Sequence, residues 1–254
     1  MSRPDVAAGR LSAGLTLMLD QHDPMTAFFA LIPAAGVGAR LGANQPKQYL
    51  TLAGKPVLRH VLDTFAACAA IAHAYVVVGE DDIAIDLLMA QAPQLQARVT
   101  VLRNGGATRV ETVRNALQVL RADCRDDDWL LVHDAARPGL TPLLIERLIA
   151  ALRDDPVGGL LAMPLVDTIK RADAGERCIA TVPREALWSA QTPQMFRYRL
   201  LCDALAQPGV FTDEAGAVEA LGLQPKLVPG SARNFKLTLP DDVGLAALYL
   251  ADSV

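Results

Sequence analysis

The sequence FFALIPAAGVGARLGANQPKQY, residues 28–49, guides the interpretation of the whole chain. Its first five residues form an apolar run typical of a short buried strand, which leads directly into a loop of small residues. Two glycines, Gly36 and Gly38, let the backbone approach a ligand closely and point N–H groups at it. Two cations, Arg40 and Lys47, follow in the same stretch. A strand, a small-residue loop and two cations together predict a site for a polyphosphate.

This loop differs from the two commonest phosphate-binding motifs. The pattern G-x-x-x-x-G-K-[ST] fails because Gly36 and Gly42 are too far apart and Ala43 follows in place of lysine. The dinucleotide pattern G-x-G-x-x-G fails because Leu41 stands where the third glycine belongs. The spacing alone therefore leaves two interpretations open, a nucleotide-binding loop and a plain tight turn between a strand and a helix.

The composition indicates a folded chain with a sizeable core. The 254 residues are 52% hydrophobic and 20% charged, and we expect residues 26–254 to form a single domain. We expect residues 1–25 to be a poorly ordered extension, because glycine and serine dilute their one apolar stretch. The net charge of -4 argues against a nucleic-acid partner, since such proteins need a basic face. No segment reaches the roughly 20 apolar residues of a membrane span.

Cysteine and histidine spacing gives no metal-binding pattern. The four cysteines, Cys68, Cys124, Cys178 and Cys202, are widely scattered and form neither C-x-x-C nor a zinc motif. Three of them lie in segments that we interpret as helical or half-apolar, so we expect buried thiols, which fits a protein of the reducing cytoplasm.

Strand and helix patterns alternate along the chain. The predicted strands are residues 28–32, 74–79, 99–102, 129–132, 157–163 and 224–228. The predicted helices are residues 57–67, 81–89, 108–121, 142–152, 197–206, 213–221 and 240–250. This alternation predicts an α/β fold, a Rossmann-like and mostly parallel twisted sheet with helices on both faces. Because ligands of such sheets bind beyond the carboxyl ends of the strands, the loops at 34–47, 104–112 and 133–138 should converge on one face.

Residues 164–187 break this alternation. They are densely charged, and their few apolar residues are spaced as in an exposed hairpin. We interpret the segment as a β-arm that projects from the domain, or as a contact with a second subunit. A plain solvated loop explains the composition equally well.

Seven short motifs occur in a fixed order along the chain. They are Pro-Ala-Ala-Gly-x-Gly-x-Arg (33–40), Pro-Lys-Gln-Tyr-Leu (46–50), Gly-Gly (105–106), His-Asp-Ala-Ala-Arg-Pro (133–138), Asp-Thr-x-Lys (167–170), Thr-Pro-Gln (192–194) and Thr-Asp-Glu (212–214). Each alone is weakly specific, but the ordered set closely resembles the 2-C-methyl-D-erythritol 4-phosphate cytidylyltransferases over about residues 28–250. The resemblance implies transfer of CMP from CTP to methylerythritol phosphate with release of pyrophosphate, on the non-mevalonate route to isoprenoid precursors.

The residue chemistry agrees with that reaction. Nucleotidyl transfer builds negative charge around the α-phosphorus, so catalysis consists mainly of alignment and nearby cations. The resemblance implies that Arg40 and Lys47 are the catalytic cations; two solvated surface charges are the alternative. The reaction also needs a divalent cation, most simply Mg²⁺, and Asp134 is the candidate ligand. Asp134 could instead pair with Arg137 and shape the turn.

The resemblance also assigns two sets of binding residues. The nucleotide-binding set is Pro33, Ala34, Ala35, Gly36, Gly38, Gly105, Gly106, Arg109, Thr112 and Ala135. The set that positions the polyol phosphate is Arg184, Lys236, Thr168, Thr192 and Arg137. Arg109 could instead be a surface charge at a helix N-terminus. Ala107 and Arg233 depart from the family pattern, since both stand where an acidic residue can occur.

Two further inferences follow from the resemblance. In this family the arm that carries Arg184 reaches the neighbouring subunit's site, which implies a homodimer with shared active sites. A cytidylyltransferase for ribitol phosphate would carry much the same nucleotide motifs, so residues near Arg184, Thr192 and Lys236 must separate the two activities. A nucleotide-binding regulator without turnover is a third interpretation, which the presence of both Arg40 and Lys47 disfavours.

Overall fold

A seven-stranded sheet forms the centre of the protein in the computed structural model, which describes residues 26–36 and 46–251. Its strands are β1 (Phe28–Pro33), β4 (His73–Val77), β5 (Val99–Leu102), β6 (Trp129–Val132), β7 (Gly159–Pro164), β10 (Trp188–Arg197) and β11 (Lys226–Pro229). Their order across the sheet is β11-β7-β10-β6-β1-β4-β5. Neighbouring strands are parallel except at β10, which is antiparallel to both β6 and β7. The parallel strands therefore all end at one edge of the sheet.

Helices cover both faces of this sheet. They are α1 (Val57–Ala67), α2 (Ala84–Ala90), α3 (Arg109–Leu120), α4 (Pro142–Leu152), α5 (Tyr198–Ala206), α6 (Glu214–Glu219) and α7 (Pro240–Ala251). Alternate residues of β1 enter different cores: Ala30 and Ile32 pack with α1 and α4, whereas Leu31 packs with α3, α5 and α6. Each face of the strand thus meets its own apolar layer, as the period of two requires. The predicted α/β fold with helices on both faces is confirmed.

The predicted elements mostly coincide with those of the structure, but strand β10 was missed. The sequence pattern did not predict β10 because Pro193 lies among polar residues, and proline rarely occurs inside a central strand. The ladder between β10 and β7 shifts register between Ala190 and Gln194, so Pro193 falls where regular pairing is interrupted. Because β10 runs against β6, its first half lies at the edge where the parallel strands end. This orientation brings Gln191 and Thr192 to that edge.

Two small hairpins lie outside the central sheet. Strands β2 (Thr51–Leu52) and β3 (Lys55–Pro56) form one, directly before α1. Strands β8 (Ile169–Ala172) and β9 (Cys178–Val182) form the other, inside the segment predicted to be a β-arm. Most residues of β8 and β9 are exposed, and the two strands form a sheet of their own. Their contact with a second subunit stays a prediction.

The cysteines only partly follow the expectation of buried thiols. Cys68 and Cys124 are buried and Cys202 is half-buried, but Cys178 is exposed. The expectation was wrong for Cys178 because its strand belongs to the exposed hairpin rather than to a core element. Within residues 26–36 and 46–251, no helix has the length and apolar character needed to cross a membrane.

Candidate active site

The small-residue loop begins where β1 ends. The backbone N–H of Ala34 still donates to the carbonyl of Val77 on β4, at 2.7 Å, and the chain then leaves the sheet. The buried side chain of Gln48 holds this loop, because its Nε2 donates to the carbonyls of Ala34 (2.8 Å) and Gly36 (3.1 Å). The sequence motif that contains Gln48 does not by itself predict this role. Its amide fixes the loop whose predicted function is to bind the nucleotide.

The Gly105-Gly106 turn lies directly against this loop. A Cβ atom added at Gly105 would be 2.4 Å from the Cβ of Ala35 and 2.8 Å from the carbonyl oxygen of Val78. Only glycine therefore allows the two loops to approach this closely. The N–H of Gly106 donates to the Thr112 hydroxyl at 3.0 Å, and that hydroxyl donates to the carbonyl of Thr108 at 2.9 Å. The Thr112 hydroxyl thus fixes the turn.

We expect the substitution Gly105→Ala to raise the KM for the nucleotide predicted to bind this loop by about tenfold or more, because the new methyl group must push the Ala35 loop outward. Gly79→Ala is the matched control, since a Cβ atom there meets nothing within 4 Å. Steady-state kinetics and a thermal unfolding curve would be recorded for both variants. An unchanged KM for the nucleotide in a folded Gly105→Ala protein would contradict the predicted role of the Ala35 loop in nucleotide binding.

Arg109 is held by two carboxylates at the start of α3. Its guanidinium makes a paired contact with Glu214, with distances of 2.6 Å and 3.0 Å, and its Nε donates to Asp134 Oδ1 at 3.1 Å. The Arg109 side chain is only 24% exposed and pairs with both carboxylates, so it is not a free surface charge at a helix end, and that alternative is wrong. Burial lowers the pKa of the Arg109 side chain, but Glu214 and Asp134 outweigh it and raise the pKa above its usual range.

Asp134 is the centre of a cluster of three cations. Besides Arg109, its carboxylate contacts Arg137 Nε at 3.2 Å and Lys236 Nζ at 3.0 Å, both through Oδ2. Burial raises the pKa of Asp134, but Arg109, Lys236 and Arg137 together hold it well below its usual range. The sequence alternative, in which Asp134 pairs with Arg137, describes one of these contacts. The structure adds the other two, which join parts of the chain far apart in sequence.

The donor set near Asp134 limits how a divalent cation could bind. The described ranges 26–36 and 46–251 contain no group of three or more His, Cys, Asp or Glu residues placed to hold a metal. Oδ1 of Asp134 accepts one hydrogen bond in the cluster and Oδ2 accepts two, which leaves a lone pair on Oδ1. One carboxylate with a free lone pair fits Mg²⁺ when substrate phosphates supply other ligands, and does not fit an all-protein site.

Two cavities adjoin at this cluster. The first has about 590 Å³ of empty space and the second about 460 Å³. Arg109, Asp134 and Lys236 line both cavities, and we call these three residues the shared wall. The first cavity is lined by most of the predicted nucleotide-binding residues: Pro33, Ala34, Ala35, Gly36, Gly106, Arg109, Thr112 and Ala135. Gly105 lies behind it, against Ala35.

The remaining candidate residues fall into four groups, three of which lie outside the arm segment. Lys47 lines the first cavity, and its Nζ donates to the carbonyl of Leu237 at 3.2 Å. Arg137 and Thr192 line the second cavity together with Lys236. Gly38 and Arg40 lie outside the described residues.

The other two predicted substrate residues belong to the arm segment. Arg184 and Thr168 are exposed and line neither cavity of their own chain. Arg184 donates instead to the carbonyl of Val166, also in the arm segment. The structure therefore does not bring Arg184 and Thr168 together with the rest of the candidate site.

A glycine-containing loop and a cluster of cations at the carboxyl edge of an α/β sheet, with two adjoining cavities, fit a nucleotidyltransferase of Rossmann-like fold. The sequence profile of the 2-C-methyl-D-erythritol 4-phosphate cytidylyltransferase family (IspD) matches residues 28–252. The chain belongs to this family, and the resemblance noted in the sequence is confirmed.

Individual relatives agree with this assignment. A 2-C-methyl-D-erythritol 4-phosphate cytidylyltransferase of Nitrosomonas eutropha is 52% identical over 231 residues, covering 90% of this chain and 98% of the relative. That of Laribacter hongkongensis is 52% identical over 228 residues, covering 89% and 97%. A crystal structure of a 4-diphosphocytidyl-2C-methyl-D-erythritol synthase superposes with a TM-score of 0.79 at 44% identity, covering 89% of this chain and 99% of that one. The Thermus thermophilus enzyme gives a TM-score of 0.69 at 32% identity, covering 88% and 98%.

Proposed function

We propose that this protein transfers CMP from CTP to the phosphate of 2-C-methyl-D-erythritol 4-phosphate, forming 4-diphosphocytidyl-2-C-methyl-D-erythritol and pyrophosphate. The observation that carries the proposal is the shared wall, which joins a cavity lined by the small-residue loop to a second, polar cavity. Two substrates held on either side of Arg109, Asp134 and Lys236 would meet there. Family membership supports the same reaction.

In this reaction the protein mainly aligns the two substrates and supplies positive charge near the phosphates. The attacking group is a phosphate oxygen of the polyol phosphate, so no side-chain nucleophile is needed. Lys47 lines the first cavity and would stabilise the charge that develops on the triphosphate, together with Arg40. Lys236 and Arg137 line the second cavity and would bind the phosphate of the polyol. Alignment of the attacking oxygen with the α-phosphorus then supplies much of the rate.

A divalent cation such as Mg²⁺ would be held by Asp134 and by phosphate oxygens of CTP. When bound, it would neutralise part of the triphosphate charge. The protein's own part is to keep Asp134 ionised, which the three surrounding cations do by lowering the pKa of the carboxyl.

Pyrophosphate release from purified protein with CTP and Mg²⁺ tests the function. Methylerythritol phosphate and ribitol phosphate would be compared as acceptors, and we expect kcat/KM to favour the former on the order of 100-fold. A preference for ribitol phosphate would replace the proposal with the related activity. Binding of CTP without release of pyrophosphate from either acceptor would identify a nucleotide-binding regulator instead.

We also propose that the protein is a homodimer whose arms complete the active sites. Arg184 and Thr168 line neither cavity of their own chain, which supports a role at a neighbour's site. Large apolar side chains are exposed in and near the arm: Val166, Ile179, Leu187, Trp188 and Leu227. Trp188 and Leu227 line one depression, which meets the second cavity at Ala190 and Asp213. A second subunit seated there would cover this apolar surface beside the substrate.

Mixed dimers of two inactive variants would test the shared sites. We expect Lys47→Ala and Arg184→Ala homodimers each to lose most activity. If Arg184 acts on the neighbour, a dimer with one subunit of each kind contains one site with both residues intact, and activity returns. If Arg184 acts within its own chain, both sites of the mixed dimer stay defective. A stable monomer in a solution mass measurement would also contradict the proposal.

The four cysteines support a reducing compartment. All lie in the described part of the chain, and all are free thiols. We therefore propose the cytoplasm as the location of the protein.

A further inference from the structure

His133 stands between strand β6 and the cluster around Asp134 but lines neither cavity. Its side chain is fully buried and packs edge-on against Phe65, with ring centroids 5.5 Å apart. Both ring nitrogens have a partner. Nε2 lies 3.2 Å from the carbonyl oxygen of Arg137, and Nδ1 lies 2.9 Å from the hydroxyl of Thr192. The ring therefore connects the loop after β6 to strand β10.

These two partners determine where the ring carries its proton. A carbonyl oxygen can only accept, so Nε2 must carry the hydrogen. Both partners are neutral groups, and the neighbouring Asp134 carboxylate already pairs with Arg109, Arg137 and Lys236. A charge on this fully buried ring would therefore have no partner, so the ring is neutral. A neutral ring with its proton on Nε2 has an acceptor at Nδ1. The Thr192 hydroxyl must therefore donate to Nδ1.

This donation fixes what Thr192 offers to the second cavity. Its single hydroxyl hydrogen points at His133, and one lone pair of its oxygen accepts the backbone N–H of Asp134 at 3.0 Å. One lone pair remains. Thr192 lines the second cavity, so toward a ligand it is an acceptor only.

We infer that His133 is a positioning residue, which orients the Thr192 hydroxyl as a hydrogen-bond acceptor for a hydroxyl group of the polyol substrate. A phosphate oxygen would meet the Thr192 oxygen as a second acceptor and be repelled, so the phosphate lies instead at Lys236 and Arg137. This inference rests on the proposed function, because it concerns the orientation of that second substrate. Thr192 would thus bind a hydroxyl group of the substrate, whereas Lys236 and Arg137 in the same cavity would bind its phosphate.

Nitrogen NMR of the full-length protein, labelled at histidine and free of substrate, tests the first step. We expect His133 to show a protonated Nε2 and an unprotonated Nδ1 near pH 7, with the signal assigned by its loss in His133→Phe or, if that variant is unstable, by through-bond correlation. A proton on Nδ1 would overturn the inference. This measurement needs no turnover, so its outcome is independent of the proposed reaction.

Two matched variants test the second step. Thr192→Ser keeps the hydroxyl, and we expect its KM for the polyol phosphate to stay within about threefold of the original value. Thr192→Val keeps the shape without the hydroxyl, and we expect that KM to rise by about 10- to 100-fold with little change in the KM for CTP. With acceptors that each lack one hydroxyl, the penalty of the valine variant should vanish for one of them. An equal penalty for every such acceptor would overturn the inference.

Discussion

Replacing Lys47 by alanine is expected to lower kcat by about 10³-fold, while the Kd for CTP rises by less than about tenfold. Lys47 lines the first cavity, next to the small-residue loop that is proposed to hold the triphosphate. A cation placed where charge develops stabilises the transition state more than the bound ground state, so turnover suffers more than binding. Single-turnover kinetics would give the chemical rate, and titration calorimetry would give the affinity.

Two further variants make the Lys47 result specific. Lys55→Ala removes a lysine that is largely exposed and pairs with Asp63 at the surface, and it should leave both quantities unchanged. Lys47→Arg keeps the charge but changes its shape, so it should recover only part of the rate. If Lys47→Ala reduced CTP affinity as much as turnover, Lys47 would be a binding residue and its catalytic assignment would be wrong.

The substitution Asp134→Asn is expected to have the second large effect, a loss of about 10³-fold in kcat/KM. Asparagine keeps the shape of the side chain but removes the charge that holds Arg109, Arg137 and Lys236 in the shared wall and beside it. The free energy of unfolding should also fall, by roughly 3 kcal/mol, because Arg109 and Arg137 lose a buried partner. Lys236 is 39% exposed, so water screens its share of this loss.

The magnesium dependence of Asp134→Asn separates its two proposed roles. If Asp134 is a ligand of the cation, the Mg²⁺ concentration for half-maximal activity should rise by about tenfold or more. If the carboxylate only organises the cations, that concentration should stay the same while kcat falls. Asp203→Asn is the matched control, since Asp203 pairs with Arg199 at the surface. It should change neither stability nor activity measurably.

Local sequence patterns predicted the framework of this protein well. The apolar runs and helical periodicities are local signals, and they located six of the seven strands of the central sheet to within about three residues. Ligands of parallel sheets bind at the carboxyl ends of the strands, and this rule correctly predicted that the loops at 34–47, 104–112 and 133–138 converge, as far as the structure describes them.

The parts that were missed depend on pairing between distant segments. Strand β10 lies between β6 and β7 because of contacts with strands distant in sequence, which local periodicity does not predict. The presence of Pro193 also disfavoured a central strand at this position. The Thr-Asp-Glu motif gave no role to Glu214, whose carboxylate binds Arg109, 105 positions earlier in the chain. Gln48 likewise acts through hydrogen bonds to the backbone carbonyls of Ala34 and Gly36, in a different loop. A motif can mark such residues, but only their tertiary partners give them a role.

The shared wall limits how the acceptor specificity of this enzyme could evolve. Because Arg109, Asp134 and Lys236 line both cavities, a mutation there should change the binding of both proposed substrates, the nucleotide and the alcohol phosphate, at the same time. Evolution toward a new acceptor is therefore freer on the far side of the second cavity, where Ala190 and Thr212 do not border the first. A library built at those two positions should yield altered acceptor preference while the cytidine donor is retained.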